Sequence, residues 1–351
     1  EFADFVETFG RVAIPKELPY CFFVEGGALA VENALKTAFD WKTRKNWQKG
    51  SKTEGSMAIH FKQAFHGRSG YTLSLTNTSD PRKYQYFPLF DWPRIINPKL
   101  HFPITEENLQ ETIKNEQLAL VEIEQAILMN PDKVSCIIIE VIQAEGGDNH
   151  FRDEFFVELR KICDENDILL IFDEVQTGIG ITGKMWAFQN FSVVPDVISF
   201  GKKTQVCGIL ASKEKLNEVE NHVFAESSRI NSTFGGNFID MLRFQLVLEI
   251  IEKENLLENV QKQGAFLLKG LQNLQEKYPQ LISNARGKGL MCAFDLPTGE
   301  IRKDFQEKLY EENVIILICG DCSLRFRPHL NVSQEDLQFA LDKIEKIVQK
   351  Y

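Results

Sequence analysis

The chain has 351 residues, 43% apolar and 11% aromatic, enough for a large core shared between one large domain and a smaller one. Its formal net charge of −10 argues against nucleic acid or an anionic membrane as partner, and no apolar run nears the roughly 18 residues of a membrane span. Seven cysteines at irregular spacing read as reduced core thiols of a cytoplasmic protein, and the lone Cys319-x-x-Cys322 pair lacks the second pair of ligands a zinc site needs, so no metal is expected.

The opening EFADFVETFGRVAIP has neither a basic stretch nor an apolar core of a secretory signal, and it reads like the interior of a longer chain. Short apolar runs then alternate with amphipathic segments, the pattern of an α/β protein. The runs CFFV (21–24), MAIHF (57–61), SCIIIEV (135–141), ILLIFDE (168–174), VISF (197–200) and ILA (209–211) are expected strands. They are apolar on both faces, as in a covered, mostly parallel sheet. Ala28, Val31, Leu35 and Ala38 mark one face of a helix, and 104–129 and 152–166 behave similarly. Residues 76–103, rich in Pro and aromatics, form a long irregular excursion of the kind that carries function.

After about residue 235 the texture changes. Residues 238–275 read as one long helix ending near Tyr278-Pro279, followed by strands at 289–296, 314–319 and 323–328 with a helix at 300–313 between them. Ser333 and Asp336 open a terminal helix. The division is therefore a large domain over 1–237, then a long connecting helix and a small α+β domain over 238–351.

Three local patterns carry chemistry. Asp173 ends a fully apolar strand, where α/β folds bind ligands, and burial of its charge calls for a cation or donor such as a protonated pyridine nitrogen. Lys202 and Lys203 follow another apolar strand; a lysine held in a cleft can lose its proton and attack a carbonyl. Gly26-Gly27 sit between a strand and a helix, where backbone N–H groups cradle a phosphate. A phosphate seat, an aldehyde-capturing lysine and a carboxylate for a ring nitrogen are the parts of a pyridoxal-phosphate site.

The blocks IFDEVQTGIG (171–180), PDVISFGKK (195–203), AFHGRSG (64–70), IIEVIQAEGG (138–147) and NSTFGGN (231–237) together resemble the class III (ω-amino acid) aminotransferases of fold type I, over essentially the whole chain. FFVEGGALAVENALKTAFDWK, FGKKTQVCG and CGDCSLRFRP are closest in wording to the lysine branch of that family. The resemblance implies a seven-stranded, mostly parallel sheet covered by helices, a smaller α+β C-terminal domain, and a family N-terminal segment that this chain lacks. It implies pyridoxal 5'-phosphate as cofactor and transfer of the ε-amino group of L-lysine to 2-oxoglutarate. Ornithine or 4-aminobutyrate as donor, or a catalytically idle homologue, are the alternatives.

By the same resemblance Lys202 carries the cofactor as a Schiff base and Asp173 keeps its ring nitrogen protonated. Gly27 and Ala28 seat the phosphate, Phe65 stacks on the ring beside His66, and Gln176 approaches the phenolic oxygen. Thr233 reaches the phosphate of a neighbouring subunit, which implies a homodimer with shared sites. Arg68 holds the α-carboxylate of lysine and Arg325 that of 2-oxoglutarate, with Glu145 covering Arg325 in between and Asn231 near the substrate. Two departures stand out: Val141 where the family has Pro, and Ile181 where many members have Arg.

Overall fold

The computed structural model describes residues 1–351. In chain order its elements are α1 (Phe2–Val12), β1 (Tyr20–Val24), α2 (Gly27–Gln48), β2 (Met57–Phe61), α3 (Gly70–Leu75), β3 (Arg94–Ile95), α4 (Glu106–Met129), β4 (Val134–Glu140), α5 (Asp153–Glu165), β5 (Leu169–Asp173), β6 (Val197–Phe200), β7 (Cys207–Ala211) and α6 (Lys213–Leu216). Then follow α7 (Phe238–Lys253), α8 (Leu256–Lys277), β8 (Ser283–Lys288), β9 (Met291–Asp295), α9 (Gly299–Glu311), β10 (Leu317–Cys319), β11 (Ser323–Arg325) and α10 (Gln334–Val348).

The first seven strands form one sheet in the order β1-β7-β6-β5-β4-β2-β3. The run β6-β5-β4-β2-β3 is parallel, and β7 is antiparallel to both β1 and β6. Both faces of this sheet are covered, and the two-residue alternation of the strands divides the apolar runs between them. Cys136, Ile138, Leu169 and Ile171 pack with Val31, Leu35, Ala38 and Trp41 of α2. Ile137, Ile139, Leu170 and Phe172 pack on the other side with Phe155, Phe156 and Leu159 of α5 and Ile123 of α4. That is why the strands look uniformly apolar in sequence.

The expected long helix over 238–275 is two helices. Asn255 takes a left-handed φ of 52° between α7 and α8, and that breaks the hydrogen-bond ladder. The break has a packing consequence. Met241, Phe244, Leu248 and Ile251 of α7 join the large core, where Phe244 meets Phe5 and Phe9 of α1. From Val260 onward α8 packs into a second core with Phe294, Phe305, Leu324 and Ile344. We therefore place the division between the two bodies in the α7–α8 pair. The small body is an antiparallel sheet, β10-β11-β9-β8, under α8, α9 and α10. No helix of the chain is long and apolar enough to cross a membrane.

Candidate active site

Three parallel strands end in line at one edge of the large sheet. Glu140 of β4 is in register with Asp173 of β5, and Asp173 with Ser199 of β6. The carboxylate of Asp173 is buried and accepts three hydrogen bonds. Oδ1 takes the N–H of Val175 at 3.0 Å and the hydroxyl of Ser199 at 3.1 Å; Oδ2 takes Nδ1 of His66 at 2.8 Å. A carboxylate has about four lone-pair sites, so one on Oδ2 is open to a further donor. Glu174, the next residue, is on the opposite face and accepts from Thr177, Ala187 and Phe188. Burial raises its pKa above the usual carboxylate value, and its role is to cap the turn at Ala187–Asn190.

Glu140 is the second buried acid of this floor. Its two oxygens accept the N–H groups of Phe65 at 2.9 Å and Ala144 at 3.1 Å, tying two site loops to β4. Burial pushes its pKa from 4.5 up to about 7, against the pull of nearby His66. The folded protein thus holds this proton at pH values where the unfolded chain has released it. Its contribution to stability is present at low pH and lost as pH rises between 4.5 and about 7. Glu140→Gln should lack this loss. Denaturant unfolding of the two proteins at about pH 5 and about pH 8 should show the wild type losing on the order of 2–3 kcal/mol more than the variant. Equal pH slopes would mean that Glu140 stays ionised throughout.

The glycine turn and the lysine turn meet over this floor. Gly26 has φ +88° and leaves the N-terminus of α2 without a side-chain cap, so the first N–H groups of that helix are free for an anion. A Cβ on Gly27 would come within 2.8 Å of Val175, the residue whose N–H is bound to Asp173. A Cβ on Gly201 would come within 3.4 Å of the Cα of Gly27. On the far side of Gly201, Lys202 adopts φ +53°, a conformation costing about 1 kcal/mol for a side-chain-bearing residue and typical of functional positions. Lys203 is turned the other way. Its ammonium donates to the carbonyl of Gln176 at 2.6 Å, and burial, then Arg327 and Lys202, lower its pKa to about 7.

The cleft above has a volume of about 840 Å³ and is lined by both bodies. Phe65, Arg68, Lys83, Glu145, Gln176, Lys202 and Lys203 come from the large one, Leu317, Arg325, Arg327 and Leu330 from the small one. Six of the lining side chains are Lys or Arg and one, Glu145, is acidic, which marks the cleft for anionic ligands. Arg325 donates to Glu145 at 3.0 Å and to the amide oxygen of Gln176 at 3.4 Å. Arg327 is bound to the fully buried Asp148 at 2.8 Å and also approaches Gln176 at 3.3 Å.

Of the sequence-derived candidates, Lys202, Phe65, Arg68, Gln176, Glu145 and Arg325 line one cleft; Asp173 and His66 are bound to each other, and Ala28 touches the turn at Gly67. Asn231 and Thr233 are exposed and do not line the cleft of their own chain. Sequence reading missed Lys83, which binds Glu145 at 2.6 Å, and Arg327 and Glu140. Glu140 had a legible signal, since it ends an apolar strand as Asp173 does. Lys83 had none.

Comparison with known proteins agrees with this geometry. The family described as aminotransferase class-III matches residues 1–348. The L-lysine-epsilon aminotransferase of Mycobacterium tuberculosis is 49% identical over 340 residues, covering 97% of this chain and 75% of that protein. The human mitochondrial 4-aminobutyrate aminotransferase is 35% identical over 336 residues, covering 90% of this chain and 65% of that protein. The solved structure of lysine aminotransferase from M. tuberculosis in the internal aldimine form matches with a TM-score of 0.95 at 48% identity, over 99% of this chain and 79% of that one.

Proposed function

The chain belongs to the class-III aminotransferases, and from that premise we propose that it moves the ε-amino group of L-lysine to 2-oxoglutarate, giving 2-aminoadipate 6-semialdehyde and L-glutamate. Enzymes of this family use pyridoxal 5'-phosphate, and so does this chain. Its residues fit that group. The uncapped glycine start of α2 suits a phosphate, the open site on Asp173 Oδ2 suits a ring N–H, and the cationic lining suits an anion. When bound, the cofactor supplies an aldehyde for the amine and a conjugated ring that accepts the electrons of a broken C–H bond.

The protein's share of the work is binding and proton transfer. Gly27 and Ala28 would donate backbone N–H groups to the phosphate, Phe65 would cover the ring and Gln176 would face its phenolic oxygen. Lys202 would hold the cofactor at rest, and its free amine would serve as the base that takes the proton from Cε of lysine. Arg68 grips the α-carboxylate of the donor, which leaves the far amine to react. Arg325 grips the α-carboxylate of 2-oxoglutarate after Glu145 lets it go. Donor and acceptor so use one cleft in turn.

The observation that carries this reading is the gathering of Lys202, Gln176, Arg68 and the Glu145–Arg325 ion pair around one cleft above Asp173. The higher identity to the lysine enzyme than to the 4-aminobutyrate enzyme supports lysine as donor. The test is incubation of the purified protein with lysine and 2-oxoglutarate, with product identification by mass, beside ornithine and 4-aminobutyrate as donors. Lysine should be used with at least about tenfold higher kcat/KM than either, a discrimination within reach of one mismatched chain length. Equal or better turnover of ornithine would remove lysine from the assignment.

The exposed Asn231 and Thr233 are consistent with a homodimer in which this segment completes the neighbouring site; sedimentation should then give twice the mass of one chain. Seven free cysteines support our placing the protein in the cytoplasm.

A further inference from the structure

Glu145 has two cationic partners. Oε2 accepts from Arg325 at 3.0 Å and Oε1 accepts from Lys83 at 2.6 Å. Lys83 comes from the irregular excursion, in a one-turn helix over Pro81–Lys83 capped by Asp80. Its neighbour Arg82 is turned outward onto Asp80, while Lys83 points into the cleft with its ammonium 5.8 Å from the ring centre of Phe65.

The backbone under Glu145 is wedged. Its carbonyl accepts the N–H of Gly320 at 2.9 Å. A Cβ on Gly146 would come within 2.2 Å of the carbonyl oxygen of Gln63, and one on Gly320 within 2.9 Å of the carbonyl of Gly146. Any exchange of partners by Glu145 is therefore a side-chain movement.

Both acid and lysine are about three-quarters buried, with side-chain exposures of 25% and 24%. A lone carboxylate in such a place is costly. At rest the trio Lys83–Glu145–Arg325 carries two positive charges and one negative. A substrate carboxylate arriving at Arg325 brings it to neutrality. Without Lys83 the resting pair would already be neutral, and the same arrival would leave one negative charge in excess.

We infer that Lys83 is a positioning residue for the acceptor: it holds Glu145 when Arg325 is handed over to the α-carboxylate of the 2-oxo acid. This rests on the reading of Arg325 and Glu145 given above and adds the group that makes the exchange affordable. Lys83 favours the half-reaction with the diacid acceptor over that with lysine, during which Glu145 and Arg325 stay paired.

The holoenzyme is assayed in its two halves separately, by the absorbance change of the bound cofactor with lysine alone and, in the amino form, with 2-oxoglutarate alone. Lys83→Met should lower kcat/KM for 2-oxoglutarate roughly tenfold more than for lysine, the effect of losing one charged hydrogen bond. Lys83→Arg should restore most of the loss, which a merely structural role would not predict. Glu145→Ala alone should shift the ratio of the two halves, and adding Lys83→Met to it should bring no further loss with 2-oxoglutarate. Equal losses in both halves, or additive losses in the double variant, would overturn the inference. If Glu145→Ala leaves the ratio unchanged, the exchange at Arg325 itself is wrong and the inference falls with it; if Glu145→Ala shifts the ratio and Lys83→Met does not, only the inference falls.

Discussion

Replacing Lys202 by alanine is expected to abolish the visible absorption of the lysine-bound cofactor and to lower turnover by about 10⁴-fold or more, the upper range for loss of a positioned proton-transfer group. The protein should stay folded. The Lys202 side chain is exposed to the cleft and its turn is held by Gly201, packed against Val175 and Gly27, and by the Gln205 N–H on the Lys202 carbonyl at 3.0 Å. None of these contacts involves the side chain that is removed. The adjacent Lys203 supplies the control. Its ammonium is engaged with the Gln176 carbonyl and it should be needed for the shape of that loop, so Lys203→Ala should lose affinity for the cofactor yet keep the band. Absorption spectra of the two variants decide the matter: a band that survives at Lys202→Ala and vanishes at Lys203→Ala would move the assignment by one residue.

What could be read from the sequence follows from how local each signal is. The strands β4, β5 and β6 were legible because both faces of the sheet are covered, so most residues of each strand are apolar whichever way they point. The edge strand β3 was not. It has two residues, Arg94 and Ile95, and pairs with β2 from within a stretch full of prolines, so no alternation can be seen. The polar strand β8 (SNARGK) was missed for a related reason: it has a register shift and its buried members include Arg286, which is satisfied by the carbonyl of Asp148 at 3.0 Å and the hydroxyl of Ser323 at 2.9 Å. The break at Asn255 was hidden because the apolar pattern continues across it. Only the change of partner, from the large core to the small one, shows that the two halves serve different bodies.

The candidate site divides the same way. Asp173, Lys202 and the glycine turn are each the last or first residue of a regular element, and that position is written in the apolar run beside it. Lys83 is brought to Glu145 across 62 residues by an irregular segment, and Arg327 to Asp148 across 179. Such pairs have no local signature. The first depends on how the excursion folds back over the sheet and the second on how the small body is seated there, and a cation in an aromatic, proline-rich stretch looks like any solvated surface charge until that folding is known.

Asp173→Asn should keep the absorption band, since Lys202 remains, while slowing the lysine half-reaction by about 10²–10³-fold, the usual cost of removing one preorganised electrostatic partner. The reason lies in the lone pairs. Asp173 accepts from Val175, Ser199 and His66, and because a carboxylate only accepts, His66 must carry its proton on Nδ1. The open site on Oδ2 can then take the N–H of a protonated ring nitrogen. An asparagine that keeps its oxygen toward Val175 and Ser199 presents an NH₂ group to both His66 and the ring. The histidine can answer by moving its proton to Nε2, which is buried with no partner, but the ring nitrogen can only lose its own. An unprotonated ring accepts electrons poorly, so the barrier to removing the Cε proton rises even though cofactor, substrate and base are all present. Single-turnover rates with lysine measure this directly. A loss of less than about tenfold in a variant that melts near the wild-type temperature would show that the acid is a structural acceptor, and that the ring nitrogen gets its proton elsewhere.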